Sequence, residues 1–249
     1  MSRLRAAARS SIGATLLGVL TLLVLTACTG GPVDAEGGPV PGDPPPPAHV
    51  VVADAARAVT DAGSARLGIE LDGPAGPVLA NGPVRFDPFA AEFTVDLGTR
   101  GAEVRVLGDE AWLRLGGADR WQPLSPGMVP VGAMTGALDA VAGLRDVTEE
   151  PGTSEIDGVP AVRYSGTLDL AAARAEAPGP ATATRYDELA GLVSETPRVT
   201  AWLGAPDAAE PDRGRLLRLQ LEPAGADASA QGIVVDVADP GLPVEVTAP

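Results

Sequence analysis

The side chains that most often carry covalent or acid–base chemistry are scarce in this chain of 249 residues. It has one cysteine, Cys28, and one histidine, His49. One thiol and one imidazole leave no Ser-His-Asp or Cys-His arrangement beyond chance, and neither a Gly-x-Ser-x-Gly elbow nor a Walker-type phosphate loop is present. An enzyme is therefore not expected. His49 opens an Ala-rich segment and reads as a solvated residue at a helix start. Glu149-Glu150 and the group Asp207, Glu210 and Asp212 offer oxygen donors for a hard cation, but they lack the ordered spacing of a calcium loop and read as solvated turns. The 33 acidic residues make accidental carboxylate pairs of the glycosidase kind unavoidable, and none stands out. No metal and no cofactor are expected. Trp112, Trp121 and Trp202 have rings suited either to a ligand mouth or to anchoring a sheet edge, the second being the commoner role.

Cys28 has a context of its own. Arg3, Arg5 and Arg9 precede an almost wholly apolar run from Ile12 to Leu25, which leads into Leu25-Thr26-Ala27-Cys28. A charged start, an apolar stretch and small residues at its end make an export signal. The run is too short for a permanent span, which needs about 20 residues. The tetrapeptide resembles the bacterial lipobox, in which the cysteine thiol receives diacylglycerol before cleavage just ahead of it. Cleavage is expected between Ala27 and Cys28, and lipidation at Cys28. Two acyl chains suffice for stable membrane attachment where one is marginal. With its only thiol used, the chain has no disulfide to hold its fold.

Removing residues 1–27 takes away three arginines and no acid, so a net charge of −15 becomes −18. Such a body is repelled by nucleic acid and by anionic headgroups, so no nucleic-acid partner is expected. Lipid, not charge, must bring it to a membrane. All its basic residues are Arg, and with abundant Ala, Gly, Pro and Val this looks like the coding bias of a GC-rich genome.

The elements that would position any site begin after residue 47. Residues 28–47 hold the lipidated cysteine and a Pro/Gly-rich tether that cannot bury a core; its extended limit is about 3.1 Å per residue, a reach of roughly 60 Å. Residues 48–249 then form one domain. Ala48 to Ala62 reads as a helix ended by Gly63. Strict alternation follows in Ala65 to Leu71, Val84 to Phe86, Ala91 to Leu97, Ala102 to Val106 and Ala111 to Leu115. Asn81-Gly82, Gly108-Asp109 and Gly116-Gly117 read as turns. Val131 to Leu144 reads as a helix despite three glycines, each costing about 1 kcal/mol. Val159 to Leu168 looks extended, and Leu170 to Glu176 and Thr184 to Val193 look helical. Strands return at Val199 to Leu203, at Leu217, Leu219 and Leu221, at Ile233 to Val237, and as a last edge at Val244 and Val246. About ten antiparallel strands with one apolar face need an apolar cover, which the few helices supply in part. Either the sheet curls onto itself or a cavity remains.

Several segments, in order, resemble the LppX, LprA, LprF and LprG group of actinobacterial lipoproteins, whose fold is related to that of the carrier LolA. They are Gly108 to Arg114 with Arg120-Trp121-Gln122-Pro123-Leu124, Asp157 to Asp169, Val199 to Leu203 with Gly214 to Leu219, and the close from Asp239 to Pro249. The resemblance implies an α+β fold: a strongly curved antiparallel β half-barrel with helices packed on its concave face, around an apolar cavity for acyl chains of lipids or lipoglycans. On that fold Phe86, Phe93, Val95, Val104, Val106 and Leu113 are the candidate cavity lining. The chain departs from the group in having little Phe, Tyr and Met, which implies a smaller or better-filled cavity.

The expected protein is thus non-enzymatic, held by Cys28 on the extracytoplasmic face of the cell membrane. It binds acyl chains of lipid or lipoglycan cargo for carriage or presentation in the envelope. The alternative is a surface interaction or structural module with a filled core and no lipid cargo; nothing in the residues names a protein partner.

Overall fold

Alternation of apolar and polar residues shapes most of this chain, because a strand that hides one face must repeat every second residue. In β1 (Ser64–Leu71), Ala65, Leu67 and Ile69 are buried while Arg66 and Glu70 reach water. The computed structural model describes residues 44–72, 76–98, 100–125, 127–225 and 230–249. Ala27, Cys28 and most of the expected tether lie outside the described residues. Pro45–Pro249 forms one unit.

That unit opens with α1 (Ala48–Asp61), whose Val52, Ala56 and Val59 are buried and whose end is marked by Gly63 at φ 77°. After β1 come β2 (Val78–Arg85), β3 (Ala90–Asp96), β4 (Gly101–Leu107), β5 (Glu110–Leu115) and a two-residue β6 (Gln122–Pro123). Next are α2 (Val131–Asp139), a 3-10 turn at Ala140–Gly143, β7 (Leu144–Glu149), β8 (Ser154–Ile156) and β9 (Val159–Leu168). The short α3 (Leu170–Ala175) is capped by the Asp169 carboxylate, which accepts from the Ala172 N–H at 2.9 Å. Finally α4 (Pro180–Val193) leads to β10 (Arg198–Gly204), β11 (Leu216–Glu222) and β12 (Ile233–Ala238).

The twelve strands make one antiparallel, curved and unclosed sheet in the order β6-β5-β4-β3-β2-β1-β12-β11-β10-β9-β7, with β8 paired to β9. Two meanders therefore meet where β1 pairs with β12, from Arg66 opposite Ala238 to Leu71 opposite Ile233. All four helices cover one face. Val59, Leu138, Leu170 and Leu189 join Leu67, Phe93, Val106, Leu219 and Val235 in a single buried cluster. Each large side chain so buried contributes about 1.5–3 kcal/mol. The expected α+β half-barrel with helices on its concave face is the fold observed.

The outer face is polar and ion-paired. Arg105 meets Glu92 at 3.2 Å, Arg198 meets Glu222 at 2.9 Å and Arg218 meets Asp236 at 2.5 Å. Arg105 and Arg114 also stack on Trp121, 4.7 and 4.8 Å from its ring centre. The last residues run across this face. The Gly241 N–H donates to the Ser64 carbonyl at 2.7 Å, the Ser64 hydroxyl donates to the Leu242 carbonyl at 2.6 Å, and Arg105 donates to the Thr247 carbonyl at 3.4 Å. The segment thus straps β1 to β4.

Several expected elements are corrected. Val244 and Val246 lie in that strap and not in an edge strand, because side-chain and carbonyl contacts replace a ladder. Asn81-Gly82 is not a turn but the middle of β2. A Cβ on Gly82 would lie 1.9 Å from the Glu92 carbonyl oxygen, so this glycine permits close passage of β3. The register shifts between Trp202 and Leu203, and Leu217 turns to the outer face, where it packs with Ile156, Ala161 and Trp202. Leu144 starts β7 instead of ending a helix. The helix expected from Thr184 starts four residues earlier, at Pro180, since a proline in the first turn removes an N–H that needs no helical partner.

Candidate functional site

Strands, loops and helices converge near the β5 end of the concave face. The turn between β2 and β3 brings Phe86 and Phe89, and β4 and β5 bring Val106 and Ala111. The connection from β6 to α2 brings Leu124 and Val129, and the start of α2 brings Val131. Facing them, α4 contributes Ala181, Thr184, Arg185 and Glu188. Between them lies a cleft of about 620 Å³. Its walls are mainly apolar and its polar groups sit on the α4 side and at Asp109 and Ser125.

The glycines that seem to weaken α2 let α4 approach it. A Cβ on Gly132 would stand 2.0 Å from Glu188 Oε2, and one on Gly136 would stand 3.0 Å from the Arg185 carbonyl. In the following 3-10 turn, a Cβ on Gly143 would meet the Asp169 carbonyl at 2.3 Å. Of the three, Gly132 also lines the cleft.

One ion pair closes its inner side. Arg185 Nη2 lies 3.0 Å from Asp139 Oδ2 and donates to the Thr182 hydroxyl at 3.2 Å. Burial pushes the Asp139 carboxyl above its ordinary range, and Arg185 only partly offsets this. The Tyr186 hydroxyl donates to the Asp139 carbonyl at 3.0 Å and is itself raised, first by burial and then by the Asp139 charge. Behind the pair is a hollow of about 380 Å³ lined by Thr60, Phe86, Asp87, Thr135, Asp139 and Arg185. Phe86, Thr135 and Arg185 are thus shared by both spaces.

Of the six lining residues expected from sequence, Phe86 and Val106 face the cleft. Phe93, Val95, Val104 and Leu113 pack within the core, with Phe93 only 3 % exposed. None of the tryptophans is among the lining residues. Trp121 is held by two arginines and Trp202 by the outer-face cluster. The α4 residues and the connection at 124–129 escape periodicity because they are a polar helix flank and a loop. One sequence signal does mark the connection: Gln122 to Leu138 contain no charged residue.

The other chemistry-bearing groups lie elsewhere. His49 is exposed on α1. Glu150 pairs with Arg163 and accepts from the Ser165 hydroxyl at 2.5 Å, which holds its carboxyl below the usual range. Glu210 pairs with Arg213 and Asp212 with Arg215. Among the described residues no group of three or more His, Cys, Asp or Glu is placed to hold a metal ion, and no helix is long and apolar enough to cross a membrane.

No family model matches the chain, and no curated protein matches it in sequence. Solved structures do match. The Mycobacterium tuberculosis lipoprotein LppX is 20% identical over 80% of this chain and 99% of its own, with a TM-score of 0.52. LprF from Mycobacterium bovis is 18% identical over 84% of this chain and 99% of its own, with a TM-score of 0.55. The chain thus shares the fold of LppX and LprF.

Proposed function

We propose that this protein shields the acyl part of an amphiphile in the cell envelope, for carriage or presentation, while diacylglycerol on Cys28 holds it to the extracytoplasmic face of the membrane. The cleft between the concave sheet face and α4 carries this reading. It joins apolar walls to a polar border, which is what an amphiphile needs from a binding site. Burial of apolar chain supplies the affinity, at about 0.8 kcal/mol per methylene. Catalysis has no part in it.

Native mass spectrometry of residues 29–249, produced in a lipid-containing host, tests the binding. The expected result is a co-purified amphiphile that is lost in Ala111→Trp, whose indole fills the cleft. A protein that is always lipid-free would sink the proposal. Anchoring has a separate test. Cys28→Ser should abolish palmitate labelling and release the protein from membranes; retained label would place the lipid elsewhere.

The packed state of Phe93, Val95, Val104 and Leu113 favours a second reading, an interaction or structural module with a filled core. That reading expects the lipid-free protein in the same experiment.

A further inference from the structure

The volume and charge of the cleft restrict what it can hold, an inference that rests on the acyl-shielding reading. Its volume is about 620 Å³. A water molecule takes up about 30 Å³ of liquid and a methylene nearly as much, so roughly 20 such groups fill the space. One acyl chain of about 16 carbons nearly does so, and a second finds no room.

Charge narrows the head. Asp109 and Glu188 border the cleft, and Asp87 and Asp139 border the adjoining hollow. Against these four carboxylates stands one cation, Arg185, already 3.0 Å from Asp139. Neither Asp109 nor Glu188 forms an ion pair among the described residues. The whole chain adds a net charge of −15. A carboxylate or phosphate head would therefore enter a field of its own sign with no free cation to receive it. The hydroxyls of Ser125 and Thr184, also on the border, suit a hydroxyl-bearing head.

We infer that the site takes a single-chain amphiphile whose head carries no negative charge, its chain against Phe86, Phe89 and Val106 and its head among Asp109, Thr184 and Glu188. The class includes monoacylglycerols and acyl sugars. It excludes free fatty acids, anionic phospholipids and lipids with two or three chains.

The test uses residues 28–249 carrying Cys28→Ser, stripped of bound lipid and titrated at pH 7.5 with monopalmitoylglycerol, palmitate and dipalmitoylglycerol under native mass spectrometry. The expected outcome is a one-to-one complex with monopalmitoylglycerol, palmitate binding about tenfold weaker, and no complex with dipalmitoylglycerol. In the double variant Asp109→Asn, Glu188→Gln, palmitate should come within about threefold of monopalmitoylglycerol. Both substitutions are at exposed positions, and an unchanged melting temperature verifies folding. Equal binding of palmitate and monopalmitoylglycerol by the unsubstituted chain, tight binding of dipalmitoylglycerol, or no effect of the double variant overturns the inference and leaves acyl shielding intact. If none of the three probes binds, acyl shielding falls with it.

Discussion

Asp139 and Arg185 meet where α2 and α4 close the cleft, and burial works against the carboxylate. Its pKa is raised in the folded protein, so its protonated form is favoured by folding. The resulting stabilisation is present at low pH and is lost as pH rises through the raised value. Arg185 limits that loss by supplying the opposite charge. Arg185→Met should therefore cost about 1–3 kcal/mol at pH 7, because a half-buried carboxylate is left unpaired. That cost should shrink at a lower pH, because without Arg185 the Asp139 pKa rises further and protonation removes the unpaired charge. Urea unfolding of the variant at the two pH values reads this directly, and Asp139→Asn should show little pH effect of its own. Legibility in the sequence was uneven at this scale. Phe86 and Val106 announced themselves as apolar residues on alternating strands. Arg185 and Glu188 did not, since a charged residue on a helix flank looks the same whether it borders a cleft or faces water.

At the scale of elements, glycines decide how closely neighbours pass. In Gly82→Ala the new methyl would meet the Glu92 carbonyl, which is backbone and cannot swing away. The expected loss is above about 3 kcal/mol, seen as a fall in the urea midpoint or as failure to fold. The contrast is the strap beyond β12. Removing residues 242–249 deletes the Ser64 and Arg105 hydrogen bonds but no strand. It should cost only about 1–2 kcal/mol and leave the circular dichroism spectrum unchanged. The sequence showed most of β1, β3, β4, β5, β9, β10, β11 and β12 but only the end of β2, because alternation sustained over several residues is what marks a half-buried strand. It hid β7, where a register irregularity between Arg145 and Thr148 breaks the alternation. It misplaced Asn81-Gly82 because the pair that favours a tight turn also suits a crowded strand. The strap kept the alternation of a strand, with Leu242, Val244 and Val246 half-buried, although its partners are single side chains and one carbonyl.

For the molecule as a whole, the proposed function separates attachment from recognition: lipid on Cys28 would fix the address and the cleft would select the cargo. Cleft variants such as Ala111→Trp should then leave membrane fractionation unchanged, and Cys28→Ser should leave amphiphile binding by the released domain unchanged. Measuring both properties on both variants separates the two roles. The meeting of β1 with β12 adds a constraint of another kind. Residues 66 and 238 are partners at the centre of the sheet, so among the described residues the two halves join through the first and last strands. A chain emerging amino terminus first can assemble β1–β5 as a hairpin ladder, but the β1 edge stays open until β12 has emerged. The sheet is therefore completed last along its middle, and each meander can form by itself before the two are joined.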